Sequence, residues 1–426
     1  MAQATRAGVP GLAASAGGYG HGVTENPAGL TVIGIGADGW PGLPGTATAA
    51  LTAADVILGS DRQLALLPPD VTGVRVAWPS PMLPALPGLL EEHRGRRVAV
   101  LASGDPMFHG VGATLVRLAG PEAVRIIPHP SSVSLAAARL GWPLADVDVL
   151  SLVNAQVERL HPLVHPGRRI LVLSRDADTP AQVAGLLRDR GYGDSTVTVL
   201  AQLGGEAESV RTGTAADFDL TGLDPLNVVA VECGRGGPAR PVVPGLPDDA
   251  YESDGQLTKR EVRAVTLAIL GPQPGELLWD VGAGSGSIAI EWMRSHRGCR
   301  AVAVESSPER VARIRANAGA LGVPDLAVVE GRAPGALAGL PAPDVVFIGG
   351  GLTREGVLEA AWDALPAGGR LVANAVTLES EAMLAAWYAK LGGELTRVAV
   401  NRASPVGGFT GWRAMMPVTI WSVSKP

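Results

Sequence analysis

The stretch "LLWDVGAGSGSIAIEW", residues 277–292, decides how this chain is read. An apolar run leads into Asp280, glycines follow at Gly282, Gly284 and Gly286, and helix-compatible sequence begins at Ser287. Glycine has no Cβ, so the backbone can turn tightly and a ligand can lie against bare amides at a helix N-terminus. The next apolar run, "RAVAVES", ends in Glu305, about 20 residues on, where a carboxylate can accept hydrogen bonds from a ribose diol. A nicotinamide dinucleotide would satisfy both features, and an NAD-dependent oxidoreductase is the competing reading. Asp280 tilts the choice, because a carboxylate there suits the ammonium and sulfonium of S-adenosylmethionine and opposes a pyrophosphate.

Outward from this loop the chain alternates strands and helices. Helix "TKREVRAVTLAIL" precedes the loop; "SIAIEWMRSH", "PERVARIRANAGALG" and "REGVLEAAWDAL" read as helices after it. "LAVVEG", "DVVFIGG" and "GRLVANAV" read as strands, and residues 398–425 predict a closing antiparallel hairpin with a long glycine-bearing insertion. Upstream, "TVIGIG", "DVILGS", "RVAVLASG", "VRIIPHP", "RRILVLS", "STVTVLAQLG" and "NVVAVEC" predict strands. "GTATAALTAA", "SSVSLAAARLG" and "TPAQVAGLLRDRG" predict helices. Such alternation implies an α/β fold of largely parallel sheets with helices on their faces. Residues 234–256 are dense in Gly, Pro and Asp, so the linker is placed at 239–256, between domains at 29–238 and 257–426. Residues 1–28, small and glycine-rich, read as a flexible tail.

Composition narrows the class. A chain of 426 residues accommodates two ordinary domains, and its net charge of −6 argues against a nucleic-acid protein. Cys233 and Cys299 are the only cysteines, which excludes a disulfide scaffold and a thiolate metal site and fits a cytoplasmic protein. No apolar run approaches the ~18 residues of a membrane span. His161 and His165 have the spacing of two ligands on a helix face, but Pro162 and Pro166 break that helix, and no metal is expected.

With "LTKREVRA", "EGRAPGAL", "VVFIGGG" and "LVANAVTLES" beside the glycine loop, residues 257–426 resemble the class I methyltransferases. More narrowly, they resemble the decarboxylating precorrin methyltransferases of cobalamin biosynthesis. The resemblance implies a Rossmann-like domain whose S-adenosylmethionine meets Thr258, Asp280, Gly282, Ala283, Gly284, Ser285, Gly286, Glu305 and Ala333.

A second glycine cluster, "TVIGIGADGWPGLPGTATAAL" at 31–51, spells G-x-G-x-x-G at Gly34, Gly36 and Gly39. In a dinucleotide fingerprint the third glycine lies within the opening helix. Here residues 40–45 intervene, and Pro44 biases Leu43 away from helical angles, so the amides and the helix end are separated. "LASGDPMFHGVGATL" (101–115) and "PHPSSVSLAAARLG" (128–141) instead resemble the tetrapyrrole methylases, whose cofactor lies in a cleft between two α/β lobes. That resemblance assigns Gly104, Asp105, Pro106, Met107, Phe108, Ser131 and Ser132 to the cofactor. It turns Gly34, Gly36 and Asp38 toward the tetrapyrrole.

Together the halves resemble a fused C5,15-methylating, decarboxylating precorrin enzyme: a two-lobed tetrapyrrole-methylase domain followed by the class I domain. The alternative is that only the C-terminal half is catalytic and the first is a tetrapyrrole-binding module. A precorrin substrate carries many carboxylates, which call for basic partners. Arg260, Arg263, Arg402 and Arg413 are the candidates, the last two flanking "SPVGGFTGW". No general base is assigned. Relatives of both halves assemble, so a homo-oligomer is expected.

Overall fold

The computed structural model describes residues 29–426, so the reading of 1–28 lies outside the described residues. The chain divides into two compact units, one ending at Ser131 and one beginning at Ser132.

The first unit holds one sheet. Strands β1 (Leu30–Ile35), β2 (Val56–Gly59), β3 (Val74–Ala77), β4 (Val98–Ser103) and β5 (Val124–Ile127) lie in the order β3-β2-β4-β1-β5. Every pairing is parallel. Both faces of β1, β2 and β4 are buried, which explains their unbroken Val/Ile/Leu runs. Helices α1 (Gly45–Ala53), α2 (Asp61–Ala65), α3 (Met82–Glu92) and α4 (Gly112–Ala119) connect the strands. A reciprocal cap starts α2: Ser60 accepts from the Gln63 amide while the Gln63 side chain accepts from the Ser60 amide.

The second unit opens with α5 (Ser132–Leu140). A five-stranded sheet follows, built from β6 (Val147–Ser151), β7 (Arg169–Leu173), β8 (Thr196–Ala201), β9 (Ser209–Thr214) and β10 (Asn227–Glu232). Its order is β6-β7-β10-β8-β9, and only β6–β7 is parallel. The parallel arrangement expected from the sequence fails here for a topological reason. The crossover through α6 (Thr179–Asp189) leaves β7 and β8 one strand apart, and β10 fills the gap antiparallel to both. The short connection from β8 to β9 permits only a hairpin-type turn.

The last sheet has seven strands. They are β11 (Leu277–Val281), β12 (Arg300–Glu305), β13 (Ala327–Glu330), β14 (Val345–Ile348), β15 (Arg370–Ala375), β16 (Glu394–Val398) and β19 (Val418–Ser424). The order is β13-β12-β11-β14-β15-β19-β16, parallel except for β19, which runs against both its neighbours. The insertion expected inside the closing hairpin is itself a two-stranded ribbon, β17 (Asn401–Val406) and β18 (Phe409–Ala414). Helices α7 (Arg260–Leu270), α8 (Ser287–Ser295) and α9 (Pro308–Ala320) contribute to the core on one face. Helices α10 (Val357–Ala364) and α11 (Leu378–Leu391) contribute to the core on the other. The strand order turns back at β11, where β12 and β14 flank it; that crevice at the C-terminal strand ends is where open α/β sheets take ligands.

Candidate functional site

At that crevice the 282–286 loop is built around missing side chains. Gly282 has φ +71°, and a Cβ there would stand 2.6 Å from Gly350 Cα. Gly349 and Gly350 in turn donate to the Val281 carbonyl, at 2.9 and 3.3 Å. The missing Cβ of Gly282 therefore lets the two loops touch backbone to backbone. Gly282 and Ala283 also donate to the Val304 carbonyl, so β12 fixes the loop from its other side.

Asp280 is 1% exposed. Its Oδ2 accepts from the Ala289 amide in α8 at 3.1 Å, while Oδ1 is buried without a partner among the described residues. Burial lifts its carboxyl to about 7; the Ala289 amide opposes the rise and the neighbouring Glu305 adds to it. A buried carboxylate oxygen with nothing to bind is a fitting seat for a cation. Glu305 is also buried, with Oε2 accepting from Gly284 N at 2.9 Å and Oε1 from the amides of Ser306 and Ser307. Its orientation is thus set before any ligand arrives, and Oε2, with one donor, keeps a second lone pair for a diol.

Ser285 is buried, and its carbonyl accepts from Asn317 Nδ2. Asn317 also exchanges hydrogen bonds with the Glu252 backbone, stitching the strap that leads to Thr258 onto the glycine loop. Thr258 and Ala333 are half-buried; the Thr258 carbonyl accepts from Arg263.

Arg263 must be corrected as a substrate residue. It is fully buried, and Nε donates to Glu291 Oε1 at 2.6 Å. Its other nitrogens donate to Thr258 O, Leu246 O and Asp248 Oδ1, and its guanidinium lies 4.8 Å from the centre of the Tyr251 ring. Four of its five N–H donors are thereby taken. Glu291 completes the hub by accepting from Gly245 N, Leu246 N and Tyr251 Oη. Burial and the adjacent Glu291 push the Tyr251 hydroxyl well above its ordinary range. Arg402 is more accessible but is held by Glu261 and by Asp248 Oδ2 at 3.0 Å, which raises its pKa. Arg260 and Arg413 are exposed; Arg413 stands across the ribbon from Arg402.

In the first unit, the glycine loop after β1 and the Gly-Asp-Pro loop meet. A Cβ on Gly34 would stand 2.1 Å from the Gly104 carbonyl and 2.7 Å from His129 N, while Gly104 N donates to Ile35 O at 3.0 Å. Asp105 caps its own loop by accepting from Met107 N, and leaves Met107 and Phe108 exposed. Asp38 lies against Gly36 and Gly42, with Oδ2 3.2 Å from His129 Nε2. His129 Nδ1 faces the Pro130 carbonyl at 3.1 Å. Ser131 and Ser132 straddle the division between the units. Glu291, Asn317 and His129 were not singled out from the sequence; each acts through partners tens of residues away, which the stretches that contain them do not reveal.

The family described as "Tetrapyrrole (Corrin/Porphyrin) Methylases" matches residues 29–219, and "Precorrin methyltransferase domain" matches 249–425. A precorrin-6Y C(5,15)-methyltransferase [decarboxylating] of a Sinorhizobium species is 50% identical over 398 residues, spanning 93% of this chain and 96% of that protein. Its Mycobacterium tuberculosis counterpart is 50% identical over 399 residues, spanning 93% and 100%. A probable cobalt-precorrin-6B C(15)-methyltransferase (decarboxylating) of Pyrobaculum calidifontis is 38% identical over 184 residues, 42% of this chain and 94% of that protein. On two matched domains and half-identity along nearly its whole length, the chain belongs to the decarboxylating precorrin-6Y C5,15-methyltransferase family.

Proposed function

We propose that this enzyme methylates a precorrin at C5 and C15 with S-adenosylmethionine and removes CO2 from a ring acetate, in cobalamin biosynthesis. The observation that carries this is the presence in one chain of two glycine loops of unlike construction. One is a strand-to-helix turn on Asp280, and the other is a pair of loops meeting at Gly34 and Gly104. The Pyrobaculum relative, less than half the size of this chain, is named for C15 methylation and decarboxylation together. That supports assigning both to residues 257–426 and C5 to residues 29–238, with 239–256 as the connection.

S-adenosylmethionine, when bound, supplies an electrophilic methyl group. The protein's part is alignment and exclusion of water, since in-line attack by an electron-rich carbon gains most of its rate from positioning. In the C-terminal site, the unpaired Asp280 oxygen would take the ammonium. Glu305 would hold the ribose, and Gly282–Gly286, with Thr258 and Ala333, would wall the pocket. In the N-terminal site, Gly104–Phe108 with Ser131 and Ser132 would hold the donor, and Gly34, Gly36 and Asp38 would face the macrocycle. Arg260 and Arg413 are the arginines left to meet substrate carboxylates, with Arg402 available on exchange from its acidic partners. We also read the enzyme as a cytoplasmic homo-oligomer acting on a small molecule and not on nucleic acid.

Two full-length variants test the division of labour. Gly282→Val drives a side chain into Gly350, and Gly34→Val drives one into the Gly104 carbonyl. Mass analysis of products should show a single methylation without CO2 release from Gly282→Val. It should show C15 methylation and CO2 release persisting in Gly34→Val. Loss of both methylations in each variant, with both proteins folded, would overturn two independent sites.

A further inference from the structure

The C-terminal strand ends carry one more polar group with an unpartnered atom, Asn374 at the end of β15. Side chains alternate along a strand, so Asp280 on β11, Phe347 on β14 and Val372 on β15, which are register neighbours, share one face of the sheet. Asn374 lies two residues beyond Val372 and so projects from that same face, at the level of the glycine loops. With strands spaced at about 4.8 Å, it stands roughly 10 Å across the sheet from the cofactor loop, on the far side of β14.

Its amide is half used. Nδ2 lies 3.0 Å from the Thr266 hydroxyl of α7, and Oδ1 is buried without a partner among the described residues. Thr266 is fully buried, and its hydroxyl has no other hydrogen bond there. Turning the amide over lets that hydroxyl donate to Oδ1, which satisfies both groups and leaves the NH2 open. In either orientation one end of the amide lacks a partner among the described residues, on a side chain that is half-buried and two strands from the glycine loop.

We propose that Asn374 is a positioning residue for decarboxylation, its amide donating to the carboxylate of the ring acetate that leaves as CO2. The inference rests on the function proposed above. The chemistry favours a neutral donor. As the bond between the acetate methylene and the carboxyl carbon breaks, its electron pair passes into the macrocycle and CO2 departs. A proton from water then completes the methyl group. The carboxylate loses its charge on the way, so a tight ion pair would stabilise the starting state more than the transition state. Arg263, one helical turn from Thr266, is fully buried and has four of its five N–H donors committed within the fold. A single amide can orient the carboxylate without anchoring its charge.

The test uses the full-length enzyme and a tetrapyrrole polycarboxylate carrying isotope in the acetate carboxyl, with labelled CO2 and methyl incorporation followed together. Asn374→Ala should lower kcat for CO2 release by about ten- to hundredfold, the range for losing one buried hydrogen bond to a charged group. S-adenosylhomocysteine affinity and methylation in the N-terminal half should be unchanged. Asn374→Asp keeps the shape but presents a like charge, and should release CO2 still more slowly. Thr266→Val, which frees the amide to rotate, should give a smaller loss, and Thr266→Ser should restore it. Wild-type CO2 release in both Asn374 variants overturns the proposal. So does a loss shared equally by CO2 release, cofactor affinity and thermal stability, which marks a purely structural role. Failure of the wild-type enzyme to methylate or release CO2 would instead overturn the functional reading.

Discussion

Asp280 illustrates how one buried atom links stability to ligand binding. Lifting a carboxyl from its ordinary 3.8 to about 7 means that the folded chain holds a proton which the unfolded chain releases. Between those values the native state binds more protons, so stability falls as pH rises from about 4 to about 7, by at most about 4 kcal/mol. Asp280→Asn removes that dependence. Its melting temperature relative to wild type should be higher at pH 8 than at pH 5, in the absence of cofactor. Binding should behave in the opposite sense: the ammonium of the cofactor favours the ionised form, so wild-type affinity should tighten from pH 6 to pH 8 while the variant's stays flat and weaker. Calorimetric titration with S-adenosylhomocysteine at both pH values checks this, and an equal pH response in the variant would exclude Asp280 as the linked group.

Among the elements, α7 and α8 share an apolar core and are also joined by the Arg263–Glu291 pair. Both side chains are buried, and Glu291 collects four donors from α7 and the strap before it. Removing one partner strands the other's charge, a change that costs about 3–5 kcal/mol. Glu291→Gln should therefore lower stability by about that amount, read from denaturant midpoints. Because the strap carries Thr258, it should also weaken cofactor binding without any contact to the cofactor. An Arg263→Met, Glu291→Leu double replacement should recover much of the stability, since paired apolar substitution spares the desolvation of both charges. A double replacement no more stable than Glu291→Gln would show that the hub's hydrogen bonds, and not its buried charge, hold the strap.

At the scale of the molecule, the second unit joins the antiparallel sheet to the seven-stranded one through charged groups at the end of α9. Arg159 pairs with Asp325, Arg240 donates to Ala320 O, and Arg294 donates to Leu321 O and to the carbonyls of Arg240 and Pro241. These cations sit where the α9 dipole is negative. His161 lies among them, and burial, aided by Arg190, Arg240 and Arg294, lowers it to about 3. A histidine kept neutral in the fold takes up a proton only on unfolding, so stability is lost as pH falls below 6.5. By pH 5 the loss is about 2 kcal/mol. His161→Asn should lack this loss, so its stability relative to wild type should rise by about that much between pH 7 and pH 5. Equal acid sensitivity in the two proteins would remove His161 from the account.

What was legible in the sequence was whatever local chemistry dictates. The β-branched runs marked the strands, and Ala/Leu-rich stretches marked the helices between them. The glycines at 282–286 announced a backbone that must turn and approach another closely. Short strands such as β3 and β9 went unseen because they are largely exposed edge strands with little apolar signal. Which pairings run antiparallel, that Arg263 faces a carboxylate and not a substrate, and that Asp280 and Asn374 each keep an unpaired atom were decided by the tertiary structure alone. Those properties depend on partners tens of residues distant, brought near only by the packing of helices on sheets. Burial then makes the charge or the missing hydrogen bond of such a residue matter far more than it would in water.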